Sequence, residues 1–143
     1  MIDSPLGESY YTKARKRLRA LAVLFEDQAY SDVVREAQEI VELALKGVLR
    51  KIGLEPPKLH DVGPLVVEYQ DRLPTDVAAQ ARRLAEISHW LRREREVSFY
   101  GDVDLVPTEE HAEEDASRAL ADARSVVEAV RSMSAPSDSA PAT

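Results

Sequence analysis

The sequence predicts an all-α fold, an up-and-down antiparallel bundle of four to five helices. Five segments repeat apolar residues at helical spacing, and none sustains a two-residue alternation. The 143 residues are 44% hydrophobic and 31% charged with only five glycines, which suits a globular domain rich in helix formers. A chain of this length has room for one core, so we predict one domain at residues 9–132, after a lead at 1–8 and before a disordered tail at 133–143.

The first two predicted helices are the most regular. The first extends from about Ser9 to Asp27. The second begins after Ser31, which suits an N-cap, and ends at Gly53, a residue type that readily takes the left-handed conformation after a helix. Its apolar residues recur at threes and fours and form one broad stripe, which comprises Val33, Ala37, Ile40, Val41, Ala44, Leu45, Val48, Leu49 and Ile52.

A shorter helix follows the proline pair at 56–57. It extends from about Asp61 to Arg72, and Pro64 is tolerated because it falls in the first turn. Apolar residues at helical spacing recur after Pro74.

The last two predicted helices flank a loop. The fourth begins at Pro74 and Thr75 and should stop around Gly101. After a loop at 102–107, Thr108 is expected to cap the fifth helix, which ends near Ser132.

Charge is unevenly distributed along the chain, whose net charge is −7. Residues 101–143 carry three basic and ten acidic side chains, whereas residues 1–100 carry 16 of each. The overall balance gives no long-range attraction to a polyanion. Two basic clusters could still contact nucleic acid locally. The first comprises Lys13, Arg15, Lys16, Arg17 and Arg19, and we interpret it as a solvated helix face. The second comprises Arg92, Arg93 and Arg95.

Several classes of protein are excluded by composition. The absence of cysteine rules out a disulfide framework and a thiolate metal site, and it fits a reducing cytoplasm. No apolar run approaches the roughly 18 to 20 residues of a membrane span, and the start lacks signal-peptide order, so we expect a cytoplasmic protein. The three histidines, His60, His89 and His111, are scattered along the chain, so we expect no metal site. The sequence contains no glycine-rich phosphate-binding loop, and we expect no cofactor.

Three segments, taken in order, carry a resemblance to one known family. The run 38–49 places Glu42 and Lys46 four residues apart among small and aliphatic positions. A His-Asp turn at 59–65 leads into a helix, and the run 93–102 closes the fourth helix before an Ala-rich one. Together these segments, over residues 9–132, resemble the HEPN family, whose name denotes a nucleotide-binding domain of higher eukaryotes and prokaryotes.

The resemblance implies a helical homodimer with a nucleotide or RNA ligand. Many members are metal-independent ribonucleases, often toxins paired with a nucleotidyltransferase antitoxin. Their motif is an Arg followed four to six residues later by a His, with two copies facing each other across the dimer. Imidazole transfers protons near neutral pH, and a guanidinium binds phosphate. Here Arg95 is followed five positions later by Tyr100, whose phenol is a poor base at pH 7, so we expect the catalytic His to be replaced.

The candidate site residues are expected at one end of the bundle. Arg95 continues the inward register of the fourth helix, and a buried guanidinium needs an acidic partner or a bound anion, for which Glu42 is the intramolecular candidate. Alternatively, Glu42 and Lys46 form an ordinary surface pair and Arg95 finishes a fraying helix. The catalytic candidates are Arg95 and Tyr100, and the ligand-binding candidates are Glu42, Lys46, Arg92, Arg95, Tyr100 and Asp102.

Three functions stay open at this point. The first is a non-catalytic or altered dimeric module that binds a nucleotide or a partner. The second is a HEPN ribonuclease toxin of a toxin–antitoxin pair, and the third is a structural helical adaptor. The apolar Trp90, Val97 and Phe99 near the end of the fourth helix either support dimerisation or complete the core.

Overall fold

Six α-helices and two short 3₁₀ turns form the part of the chain that the structure, a computed structural model, describes: residues 5–56, 58, 61–100 and 112–134. No strand occurs in these ranges, and the prediction of an all-α bundle is confirmed. The 3₁₀ turns are Gln70–Arg72 and Arg131–Met133. The helices are α1 (Pro5–Glu26), α2 (Tyr30–Lys51), α3 (Gly63–Glu68), α4 (Thr75–Ala78), α5 (Ala81–Tyr100) and α6 (Glu113–Ala129).

Helix α2 lies at the centre of the bundle and packs against α1, α5 and α6. Its predicted apolar stripe is buried except at Ile52, which is partly buried, and Val33, Ile40 and Leu45 have no exposed surface. A stripe this broad is covered only when helices pack on more than one side of it, which explains why three helices surround α2. One edge of α2 is polar, and this edge faces α5 on one side and α1 on the other.

The same type of turn ends both long N-terminal helices. Gly53 has a φ of 86°, and the N–H groups of Gly53 and Leu54 donate to the carbonyls of Arg50 and Leu49. Gln28 has a φ of 62°, and an equivalent pair of hydrogen bonds closes α1. Both turns have the Schellman pattern, in which a left-handed residue satisfies the last free carbonyls of the helix. The predicted end of the second helix at Gly53 is confirmed.

Two predicted helix starts are wrong. Helix α1 begins at Pro5 rather than near Ser9, since proline is well accepted in a first turn. Ser31 is not the N-cap of α2 but a buried residue inside it. The Schellman turn leads directly into α2, and the N–H of Val33 already donates to the carbonyl of Ala29 at 2.9 Å.

The third and fourth predicted helices are each interrupted. Helix α3 has the expected proline in its first turn but gives way after Glu68 to a 3₁₀ turn. Between α4 and α5 the N–H of Gln80 donates to the Val77 carbonyl, three residues back rather than four. The Gln80 side chain donates to the Asp76 carbonyl at 3.2 Å, so the break between the two helices is satisfied locally.

The last helix begins later than predicted. Ala112 has extended backbone, its N–H donates to the carboxylate of Asp115 at 3.4 Å, and α6 therefore starts at Glu113. The predicted cap Thr108 and the predicted loop at 102–107 lie outside the described residues, as does the predicted tail beyond Ser134. No helix in the described ranges is both long enough and apolar enough to cross a membrane.

The two Schellman turns predict opposite effects for reciprocal substitutions. A left-handed conformation costs a residue with a Cβ roughly 1 kcal/mol relative to glycine. Gln28→Gly should therefore raise the free energy of unfolding by about 0.5–1 kcal/mol, and Gly53→Gln should lower it by about 1 kcal/mol. Urea denaturation followed by circular dichroism measures both changes. Destabilisation by Gln28→Gly would contradict the left-handed assignment of residue 28.

Candidate functional site

A chain of polar side chains joins α2 to the C-terminal half of α5. The Nη1 group of Arg95 donates to Oε1 of Gln38 and, at 2.6 Å, to Oε1 of Glu39. The Nε2 group of Gln38 donates to Oε2 of Glu42 at 2.8 Å. The other carboxylate oxygen of Glu42 lies 2.7 Å from Nζ of Lys46. These five side chains form one connected group, which we call the Arg95 network.

The helical repeat of α2 explains how three members of this network meet. Gln38, Glu42 and Lys46 are spaced four residues apart, so they line one edge of the helix beside the apolar stripe. Gln38 is 4% exposed and Glu42 is 6% exposed. Glu42 and Lys46 are therefore not an ordinary surface pair, and their charges act in a partly desolvated environment.

The amide of Gln38 connects a cation to an anion. Its carbonyl oxygen accepts from Arg95, and its amide nitrogen donates to Glu42. A carbonyl oxygen only accepts and an amide nitrogen only donates, so these two partners fix the orientation of the side chain. An apolar residue at position 38 would interrupt the network between its two ion pairs, at a cost of about 1–3 kcal/mol for the buried groups left unpaired.

The opposite flank of the α2 polar edge is paired with α1. The Nε and Nη2 groups of Arg17 donate to the two carboxylate oxygens of Glu36 at 2.6 and 2.9 Å. The hydrogen bond that Arg17 donates to Glu36 raises the pKa of Arg17 above its ordinary value, and the charge of Glu39 acts in the same direction. Glu39 therefore influences an arginine on two of the helices that pack against α2, Arg17 of α1 and Arg95 of α5. Arg17 belongs to the predicted basic cluster, but its charge is satisfied inside the fold.

Asp61 connects the predicted His-Asp turn to α5. Its Oδ1 accepts the N–H of Gly63 at 3.3 Å, which supports the start of α3. Its Oδ2 lies 3.9 Å from Nη1 of Arg92, whose Nε is 3.6 Å from Glu96. The ligand-binding candidate Arg92 thus stands beside Arg95 on α5 with acidic partners of its own.

The remaining candidates are only partly placed by the structure. Tyr100 is the last residue of α5, but its side chain lies outside the described residues, as do Asp102, His60 and His111 in full. His89 is exposed on α5. Six residues separate His89 from Arg95, so on a regular helix they lie about 9 Å apart along the axis and about 120° apart around it. Within one chain these two side chains do not converge.

The comparison with known families identifies the fold. A protein-family model described as the HEPN domain matches residues 8–133, which is most of the chain. The chain belongs to the HEPN domain family. Searches of curated proteins and of solved structures found no match.

The HEPN ribonuclease motif has a second spacing match that the sequence reasoning missed. Arg83 precedes His89 by six residues, within the interval of four to six that the motif allows. However, Arg83 is exposed and donates a hydrogen bond to Ser125 of α6. In this HEPN domain the interval after Arg95 ends in Tyr100 and not in a His, and Arg83 is hydrogen-bonded to Ser125 of the last helix.

The partners of Arg95 were also missed from the sequence. Glu42 was the expected intramolecular partner, and it belongs to the network, but the carboxylate 2.6 Å from the guanidinium is Glu39 and the connection to Glu42 is Gln38. The four-residue interval from Gln38 to Glu42 was the available signal for Gln38. No feature of the neighbouring sequence distinguishes Glu39 from the other acidic residues of α2, because its contact with Arg95 depends on how α5 packs against α2.

No metal site is visible in the described part of this HEPN domain. Among those residues no group of three His, Cys, Asp or Glu side chains could hold a metal ion. The polar groups of the Arg95 network are instead matched as donors and acceptors, two cations with two carboxylates.

The Arg95–Glu39 contact predicts a measurable coupling between the two side chains. In a double-mutant cycle of Arg95→Ala and Glu39→Ala, the coupling in the free energy of unfolding should be about 1 kcal/mol, because the pair is partly buried and its distance is 2.6 Å. Chemical denaturation of the wild type, the two single variants and the double variant gives this value.

The exposed pair Arg131–Glu128 is the matched control. Its side chains are 70% and 71% exposed and 3.4 Å apart, so solvent screens it and the coupling should be roughly 0.3 kcal/mol. Equal couplings for the two pairs would mean that Arg95 contributes no more than a surface ion pair.

Proposed function

We propose that this HEPN domain is a non-catalytic dimeric module that binds a partner protein. The observation that carries the proposal is the engagement of Arg95 by Gln38 and Glu39 of α2. An arginine held in this way fixes the end of α5 against the central helix. We infer that the role of Arg95 in this chain is structural.

The charge balance of the network supports this role over phosphate binding. Arg95 faces Glu39 and Lys46 faces Glu42, so each cation has a carboxylate within 2.7 Å. A phosphate that approached Arg95 would compete with Glu39 and meet the repulsion of two nearby carboxylates. For this reason we favour a protein partner over a nucleotide at this edge.

The position of His89 supports the proposal that this domain has no ribonuclease activity. Attack of a ribose hydroxyl on its phosphodiester needs a base that titrates near neutral pH. Among the described residues the only histidine is His89, which is exposed and directed away from the side of α5 that carries Arg95. A nucleotidyltransferase antitoxin as the partner, and a cytoplasmic location, stay predictions of the sequence.

We expect no cleavage of single-stranded RNA by the purified protein in the presence of EDTA. Arg95→Ala should instead lower the melting temperature by about 5 °C, because Gln38 and Glu39 lose their shared donor. Gel analysis of labelled RNA and thermal denaturation measure the two effects on the same samples.

His89→Ala is the control for a histidine with no role, and it should leave the melting temperature unchanged. RNA cleavage by the wild type that disappears with Arg95→Ala would overturn the non-catalytic proposal. It would assign Arg95 to the catalytic machinery.

We expect light scattering at tens of micromolar to give twice the chain mass of 15.9 kDa. HEPN domains often dimerise, although Trp90 is partly buried against the core and has the Arg118 guanidinium 3.8 Å from the centre of its ring. The mass should fall towards that of one chain only on dilution. A constant mass of one chain across the concentration series would contradict the dimer.

A further inference from the structure

Four cations on one stretch of α1 differ from most cations of this chain. Lys13, Arg15, Lys16 and Arg19 are exposed, and none has a hydrogen bond or an ion pair with a described residue. Elsewhere on the described chain, only the scattered Lys58, Arg82, Arg93 and Arg124 share this property. We call the four α1 residues the α1 outer face.

Several carboxylates of α1 and of the helices packed against it are already engaged. Glu36 is bound by Arg17 of α1, and Glu8, in the first turn of α1, accepts from Lys51 at 2.9 Å. On α6, Glu128 lies 3.4 Å from Arg131. Residues 9–25 themselves contain no acidic side chain. Among the described residues, no carboxylate therefore pairs with the four positive charges.

The helical repeat gathers these charges on the side of α1 that faces away from the core. At 100° per residue, the four positions cover an arc of about 160°, centred opposite the buried Ala14 and Leu21. From Lys13 to Arg19 the face extends about 9 Å along the axis. A face with these dimensions presents several cations at once to an extended polyanion.

We propose that the α1 outer face binds the phosphate backbone of nucleic acid, independently of the Arg95 network. Lysine and arginine contact phosphates without reading sequence, and each neutralised phosphate releases counterions. No aromatic side chain lies on this face to stack with a base. The binding is therefore insensitive to base sequence and strongly dependent on salt.

An anionic membrane fits this face less well. A helix that lies on a membrane presents large apolar residues beside its cations. On α1 the exposed large hydrophobic residues are Leu6 and Val23, which are 17 residues apart at opposite ends of the helix. Neither lies within the stretch of four cations, and Val23 is about one turn beyond Arg19, so the face offers charge with little apolar surface to insert.

The acidic net charge of the chain does not oppose this binding at physiological salt. Exposed charges separated by more than about 8 Å are largely screened at 0.15 M ionic strength. The local charge of the α1 outer face, and not the total of −7, therefore decides contact with a phosphate backbone. The sequence alone favoured a solvated helix face, and the absence of ion pairs between these cations and the residues that the structure describes is what changes that interpretation.

The test compares two triple variants of the full chain with the same change in charge. One is Arg15→Gln, Lys16→Gln and Arg19→Gln on the α1 outer face, and the scattered control is Lys58→Gln, Arg82→Gln and Arg124→Gln. Fluorescence anisotropy with labelled oligo(U) and oligo(dT), measured over a series of KCl concentrations, gives the Kd and its salt dependence for each protein.

The α1 variant should bind both oligonucleotides about 100-fold more weakly at 0.1 M salt, and the slope of log K against log salt should fall by about 2. The scattered control should bind as the wild type does. All six substituted side chains are exposed, so thermal denaturation should show unchanged folding for both variants.

Four outcomes would overturn the proposal. They are no oligonucleotide binding by the wild type, unchanged binding by the α1 variant, equal loss in the scattered control, and loss with Arg95→Gln but not with the α1 variant. The last outcome would assign nucleic acid to the Arg95 network. Binding to phosphatidylserine vesicles without binding to oligonucleotides would assign the face to a membrane and would equally count against the proposal.

Discussion

The burial of α2 is the constraint on which the rest of this HEPN domain depends. Three helices cover its apolar stripe, and this covering also takes the polar edge of the same helix out of bulk water. Buried polar groups must be paired, and two of these three helices, α1 and α5, each supply an arginine. Arg17 of α1 meets Glu36, and Arg95 of α5 meets Gln38 and Glu39. The packing of the helices around α2 and the pairing of its polar edge therefore both follow from the burial of α2.

This requirement also separates two kinds of cation on the surface of the domain. Arg95 and Arg17 are needed to neutralise α2, which leaves little positive charge at that edge for a ligand phosphate. The cations of the α1 outer face do not pair with a described carboxylate. In this chain an arginine near the end of α5 therefore serves packing, and the contact with a polyanion that we propose involves a different helix.

The local features of the fold were readable from the sequence, and those that depend on neighbours were not. Apolar periodicity predicted the helices, and Gly53 predicted the end of α2, because both are properties of a few adjacent residues. Gln28 gave no such signal, since a left-handed glutamine is held by its surroundings. For the same reason Ser31 was misassigned as a cap, and the local break at Gln80 was not foreseen.

By itself the sequence determined the helical class, the HEPN family, and the placement of Glu42 and Lys46 on one edge of α2, because a four-residue interval fixes neighbours along a helix. It also showed that Tyr100 follows Arg95 where the ribonuclease motif has a histidine. Only the tertiary structure decided that Arg95 is held by Gln38 and Glu39. These residues are 57 and 56 positions away, and contact across that separation depends on the rotation and depth at which α5 packs against α2, which no local spacing encodes.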